Sequence, residues 1–155
     1  MSLRQTLREN TKQWHAKLDA EVAAFRPFES MAHYAEYLCV MQRLYVRSAA
    51  SVDWTSQQAE LECRAGHLLA QLAQDLAAAG RPPCSERAQP ADRRLPLDAA
   101  WGEAYVLEGA SMGARFLLHQ ARERLPQASY LFLGDLSTAS AQRWPRFVDA
   151  LDRAN

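Results

Sequence analysis

The 155-residue chain predicts an all-α, single-domain, multi-helical bundle. Three observations carry that expectation. Apolar residues recur at helical spacing almost throughout, β-branched residues are too sparse to supply a sheet, and the breakers at Pro27, Gly80, Pro82-Pro83 and Pro126 fall between the periodic segments.

The first helix is expected over residues 3–24, ending before Phe25-Arg26-Pro27. At about 100° per residue, Leu3, Leu7, Trp14, Leu18 and Val22 form its apolar stripe. Ser30 suits the N-cap of a second helix, which carries Tyr34, Tyr37, Leu38, Met41, Leu44 and Tyr45 to about residue 52 and reads as core rather than as a cofactor box. After Asp53-Trp54-Thr55, a third helix holds Leu61, Leu68, Leu69, Leu72 and Leu76. Gly80 and Pro82-Pro83 close it. Residues 81–97, with Pro82, Pro83, Pro90, Pro96 and several charges, form an extended loop and not a domain linker. Asp98 is expected to cap a long helix running to about Arg124. Residues 129–136 read as a turn or short irregular segment, and a last helix covers roughly 137–153, which Pro145 should bend or restart.

Composition excludes several function classes. The chain is 48% hydrophobic but has no charge-free run long enough to span a bilayer, which predicts a soluble globule. Met1-Ser2-Leu3-Arg4-Gln5 holds no apolar signal core, so a cytoplasmic location is expected. Cys39, Cys63 and Cys84 lie at unrelated spacings that fit neither a disulfide framework nor a zinc pattern, and reduced thiols are expected. Eighteen basic residues balance eighteen acidic ones, which removes the electrostatic case for nucleic acid or an anionic membrane as partner. The sixteen arginines are scattered among acids, the pattern of a solvated surface, and Arg93-Arg94 falls in a loop without assigned function.

His15 is the residue with most chemical promise. It lies on the margin of the first apolar stripe with Arg8 two turns before it and Asp19 one turn after, on one helical edge. A metal-bound imidazole usually donates its second ring N–H to a carboxylate, carbonyl or water. Asp19 is placed to accept it, and Arg8, roughly 10 Å up the axis, could hold an anionic tail of a ligand centred on the histidine. The plainer alternative is a partly buried histidine with an i,i+4 acid partner.

The fourth helix carries a second unusual pattern. Gly102, Gly109 and Gly113 fall on nearly one face, flanked by Ala110 and Ala114. Each interior glycine is roughly 1 kcal/mol less favourable than alanine, so a close backbone crossing or a flat ligand is expected there. Ser111 could offer a hydroxyl beside that face. His33, His67 and His119 sit on separate helices without a ligand partner at i+3 or i+4 and read as surface or packing histidines. The Glu-x-x-His pairs of carboxylate-bridged di-iron bundles are absent.

Together, Leu7-Arg8-x-x-Thr11-Lys12-x-x-His15-x-x-x-Asp19 and Tyr105-Val106-Leu107-Glu108-Gly109-Ala110-Ser111-Met112-Gly113 resemble the two signatures of heme oxygenases. They are most similar to the bacterial, bacteriophytochrome-associated branch, in which the second signature typically reads Tyr-Val-Leu-Glu-Gly-Ser-Thr-Leu-Gly-Gly. The likeness continues through Gly134 and the Arg143-Trp144, Phe147 and Leu151 segment, over almost the whole chain. It implies a heme-oxygenase-like fold in which heme lies between the first helix and a kinked glycine-rich helix. His15 would ligate the iron and Asp19 would fix its tautomer. Arg8, and less directly Lys12, would pair with propionates. Gly109 and Gly113 would let backbone approach the porphyrin face while leaving room for O2.

The implied activity is O2-dependent cleavage of heme, both cofactor and substrate, to biliverdin, CO and ferrous iron. Electrons would come from an external reductase or ferredoxin, and the product would feed a bilin photoreceptor. The chain departs from the family pattern in three places. Ala110 stands where an aspartate organises distal water, Ala114 stands where a second glycine commonly follows Gly113, and the chain stops at Asn155, so the family's last helix is expected to be missing. The alternative function is a non-catalytic heme-binding or protein-interaction domain of the same fold.

Overall fold

The computed structural model describes residues 3–51, 65–84 and 95–153. These residues form five helices, α1 (Leu3–Phe25), α2 (Met31–Ser51), α3 (Ala65–Ala78), α4 (Leu97–Arg124) and α5 (Leu131–Arg153), and no strand. The beginning of the expected third helix with Leu61, the turn Asp53-Trp54-Thr55, and Cys63, Pro90 and Arg93-Arg94 lie outside the described residues. Among the described residues no helix is long and apolar enough to cross a membrane.

Local chemistry sets most helix ends. α1 stops where Arg26 takes a left-handed φ of 54° and donates its N–H to Val22 O at 3.2 Å, and Pro27 cannot continue the turn. Ser30 caps α2 as expected, its Oγ accepting the His33 N–H at 3.2 Å. Gly80, at φ 72°, ends α3. Its N–H donates to Ala77 O at 3.0 Å and the Arg81 N–H donates to Leu76 O at 2.9 Å, the paired bonds of a Schellman motif.

Three expectations need correction. Asp98 does not cap α4: Pro96 is the N-cap residue and provides no side-chain bond, while Asp98 sits inside the first turn with Oδ1 accepting the Ala99 N–H at 2.9 Å. Its negative charge there still suits the helix dipole. Residues 131–136 are not irregular but the opening turns of α5, which Pro145 does not restart. Pro145 removes the N–H that would pair with the Ala141 carbonyl, and because both residues are exposed, water can solvate the freed oxygen. Finally, Cys39 and Cys84 are joined in a disulfide, their Cα atoms 5.2 Å apart across 45 residues. By chain entropy a loop of that length contributes about 4 kcal/mol. Regular spacing could not show the pair, because α2 and the segment after α3 bring the two residues together.

α4 and α5 form an antiparallel hairpin, and two clusters fill it. The larger joins Tyr34 and Leu38 of α2, Leu72 and Leu76 of α3, Leu118 and Ala121 of α4, and Phe132, Leu133 and Leu136 of α5. The smaller, at the other end, gathers Trp101 and Ala104 with Phe147, Ala150 and Leu151, and Leu7 of α1 packs on it with Tyr105 and Trp144. The tyrosines expected in the core of α2 are there: Tyr34, Tyr37 and Tyr45 are buried.

One buried carboxylate organises the junction. Asp75 of α3 is 1% exposed. Its Oδ1 accepts the Ser129 hydroxyl at 2.5 Å and the Leu131 N–H at 3.0 Å, and its Oδ2 accepts the Phe132 N–H at 2.9 Å. Asp75 thus caps α5 from another helix, at the positive end of its dipole. Above it the Tyr34 hydroxyl donates to Ser129 O at 2.8 Å. The Tyr130 hydroxyl points back to the carbonyl oxygens of Ala121 and Leu125.

Two predictions follow from this junction. Asp75→Ala leaves two helix N–H groups and a hydroxyl without acceptors and should destabilise the fold by about 3 kcal/mol, read as a lower urea midpoint at unchanged slope; Asp75→Asn, which keeps one acceptor oxygen, should lose less. Burial pushes the phenols of Tyr34, Tyr37 and Tyr130 upward, with the Asp75 charge adding to the shift at Tyr34. The fold therefore holds the neutral phenols more tightly than the unfolded chain does. Stability should be intact below about pH 10, the unfolded phenol value, and fall as pH rises above it. Circular dichroism across an alkaline titration checks this, and Tyr37→Phe should make the fall shallower.

Candidate functional site

α1 is fastened mainly at its ends. Leu7 packs into the smaller cluster, and at the other end the Phe25 ring stacks on His33 of α2 with centroids 5.4 Å apart. Between these anchors Trp14 and Leu18 are 62% and 56% exposed. The apolar stripe of α1 is therefore real in pattern but uncovered in its middle. His15, expected at a margin between core and surface, stands on open surface for that reason.

Arg8, Lys12 and Asp19 are exposed as well. No hydrogen bond joins His15 to Asp19 among the described residues, so the carboxylate and the imidazole are both available. Lys12 borders an open hollow with Glu9, Asn10, Gln13 and Ala16. By helical spacing that hollow lies on the side of α1 turned away from Trp14 and Leu18. Of the two cations, Arg8 lies more nearly in line with His15 along the helix than Lys12 does.

The glycine face of α4 is also uncovered at Gly102 and Gly113. A Cβ built on Gly102 or Gly113 would meet nothing within 4 Å, and one on Gly109 would meet only the Trp144 ring, at 3.7 and 3.8 Å. Those are ordinary contact distances, so packing within the described chain requires none of these glycines. Val106, Met112 and Phe116, which border this face, are 57%, 57% and 64% exposed. The helix is unbroken from Leu97 to Arg124.

The adjoining side of α4, reaching to Gly109, fixes it to α5. Arg143 donates through Nη2 to Glu108 Oε1 at 2.6 Å and through Nε to Oε2 at 3.4 Å, a two-pronged pair with both side chains mostly buried. Next to it, Trp144 lies between Tyr105 and Phe147, with centroids at 5.6 and 5.9 Å. Sequence reasoning missed Glu108 and Trp144 as the elements that set the glycine face in place. Glu108 stands in the second of the two motifs and Trp144 outside both, and the 35-residue separation of Glu108 from Arg143 hid the pair.

Ser111 requires correction. It is 2% exposed, its hydroxyl donates to Glu108 O at 2.6 Å, and, two residues from both Gly109 and Gly113, it points to the opposite side of the helix. It offers no hydroxyl to the glycine face. Ala114 is likewise turned into the larger core, 1% exposed, so its methyl does not crowd that face, whereas Ala110 is exposed. The remaining histidines are surface groups. His33 Nδ1 lies 3.1 Å from Arg26 O and 3.8 Å from Glu29, and His67 is 3.6 Å from Asp135. Against expectation, two of these histidines have a carboxylate at i+3 or i+4: Glu36 stands three residues after His33, and Glu123 lies 3.5 Å from His119 in a pair that is well exposed on both sides. Among the described residues no three His, Cys, Asp or Glu side chains gather to hold a metal ion.

Fold and surface together define an all-helical domain with two uncovered apolar faces, one bearing an accessible imidazole and the other a row of glycines. Comparison with models of known protein families, with curated proteins and with solved structures finds no match for this chain.

Because no side chain needs the space above Gly113, Gly113→Ala should stabilise the unliganded protein by about 1 kcal/mol through helix propensity alone. A higher thermal midpoint checks this; a fall would mean that a neighbour does approach the helix there.

Proposed function

We propose that the chain is a heme-binding domain of the heme oxygenase type, with His15 as the protein's iron ligand and the Gly109–Gly113 stretch of α4 as the opposite wall. One observation carries this reading. An exposed imidazole lies beside the uncovered stripe of Trp14 and Leu18, and on α4 a glycine face, open above Gly102 and Gly113 with the Trp144 ring over Gly109, is bordered by uncovered Val106, Met112 and Phe116. Large apolar side chains left in water favour a partner that removes them. Glycines kept without a packing reason suit a flat one.

The residues fit such a ligand. A single imidazole suffices as protein ligand for heme iron, Asp19 is free to accept its second N–H, and Arg8 on the same edge is free to pair with a propionate. Bound heme would supply the iron that activates O2 and the ring that is opened, giving biliverdin, CO and ferrous iron with electrons from a reductase or ferredoxin. The chain's own part is to ligate, to orient the ring by its propionates, and to limit the space over one face through Gly109, Gly113 and the Trp144 ring that lies over Gly109.

A second reading, a non-catalytic heme-binding domain, is favoured by one feature of α4. Between Gly109 and Gly113 the glycine face carries no acid or hydroxyl: Ala110 is at the usual acid position and Ser111 is buried on the far side. Only backbone and water would then order the distal space.

Titration with hemin tests the reading. The wild type should give a shifted Soret band that saturates at one equivalent. His15→Ala should lose that band's ligated form, and Asp19→Asn should bind about tenfold more weakly. An unchanged spectrum in His15→Ala would remove the ligand assignment. With heme bound, reductant and O2 should produce a bilin absorbing in the red; binding without a bilin would select the second reading.

A further inference from the structure

The short strap Arg81–Cys84, which follows α3, is held against α2 by three contacts of unequal strength. Arg81 pairs with Glu36 at 2.6 Å, an exposed ion pair that solvent weakens. The Cys84 N–H donates to Oε1 of buried Gln42 at 2.7 Å. The covalent link from Cys84 to Cys39 is the third and strongest. Further along, the Leu95 N–H donates to Ser51 O at 2.8 Å, two residues before α4 begins. Strap and α4 entrance are thus both tied to α2, one at its middle and one at its end.

The two sulfurs differ in access. Cys39 is 1% exposed within the larger core, whereas Cys84 is partly exposed. Exchange requires a thiolate to reach one sulfur, so access selects Cys84. Both products have a place in the fold. The Pro82 carbonyl oxygen lies 3.7 Å from Cys84 Sγ, positioned to accept its S–H after reduction, and a reduced Cys39 remains a small buried apolar side chain.

We propose that the Cys39–Cys84 disulfide is a reversible exchange site that latches the Arg81–Cys84 strap to α2 and is opened by a dithiol attacking Cys84. One thiolate of the dithiol bonds to Cys84 Sγ while the protein S–S bond breaks, and Cys39 takes up a proton. The second thiol then attacks the mixed disulfide, closes the reductant into a cyclic disulfide and releases Cys84 as a thiol. Two electrons and two protons pass from the dithiol to the cysteine pair. The apolar surroundings of Cys39 make its thiolate a poor leaving group. A monothiol adduct therefore tends to revert, and a dithiol completes the exchange.

The test uses the full chain, which has three cysteines. After oxidation with diamide at low protein concentration the denatured protein should show one titratable thiol, and after dithiothreitol three, with helical circular dichroism retained. On reduction the Cys84 amide should lose hydrogen-exchange protection and on reoxidation regain it, while the amides of α5 stay protected. Cys84→Ser should show the reduced pattern under both conditions. Three thiols after oxidation would overturn the proposal by showing that no bond forms. Loss of helicity on reduction would overturn it too, making the bond a structural staple, as would unchanged exchange at Cys84, since nothing would then be latched.

Discussion

Asp75 supplies from α3 the N-terminal cap that α5 lacks in its own sequence, and the order of the bundle follows from that contact. A carboxylate this deeply buried is tolerable only when its oxygens are satisfied. Here two N–H groups and a hydroxyl satisfy them. The bonds fix where α5 starts and how it meets α3. The same contact positions Ser129, whose carbonyl oxygen receives the Tyr34 hydroxyl, so α2 is registered against the junction as well. Three helices share one polar point inside an apolar cluster, and a shift of any of them strands a buried polar group.

With its start fixed, α5 determines what α4 presents. The antiparallel hairpin sets Arg143 opposite Glu108 and the Trp144 ring against Gly109. These contacts fix the rotation of α4 about its axis. Ser111, Ala114 and Leu118 then point inward, and the glycines with Val106, Met112 and Phe116 are left on the outside. α1 comes last in this sequence of dependence. It rests on the cluster that α4 and α5 have already built, through Leu7, and touches α2 at Phe25, which leaves the segment around His15 without a cover.

Helix identity was legible in the sequence wherever the signals are local. Ser30, Gly80 and the apolar spacing of α2 and α3 act within a few residues of where they stand, and the structure places them as read. What failed was non-local. Residues 129–136 carry no cap of their own, and their helical state depends on a carboxylate more than fifty residues earlier. The disulfide likewise depends on the fold and not on spacing. The margin position given to His15 assumed that the whole stripe of α1 is covered, which periodicity cannot decide: it tells which residues share a face, not whether anything packs against it. Ser111 was misplaced for a simpler reason, since proximity to the glycines along the chain is not proximity around the helix. The glycine pattern was visible, but only the open space above Gly113 separates a tight helix crossing from an uncovered face.

That uncovered face is where stability and function pull apart. Alanine at Gly102 and Gly113 would give a better helix without meeting a neighbour, and polar residues in place of Trp14, Leu18, Met112 and Phe116 would give a more soluble surface. A chain shaped by folding alone would carry those residues. Most of the rest of α4 agrees with its packing, the exposed Leu97 at its start excepted: small residues where it meets the core, an ion pair where it meets α5, and aromatic residues at the smaller cluster. Exposed large apolar residues stand singly elsewhere, at Val40, Leu97 and Leu131, but they gather on these two faces, and a gathered apolar surface favours a partner that covers it. In α1 the uncovered segment contains the helix's one imidazole. Under the proposed reading, a broad apolar ligand that takes that nitrogen as its own ligand would account for both faces with the same chemistry.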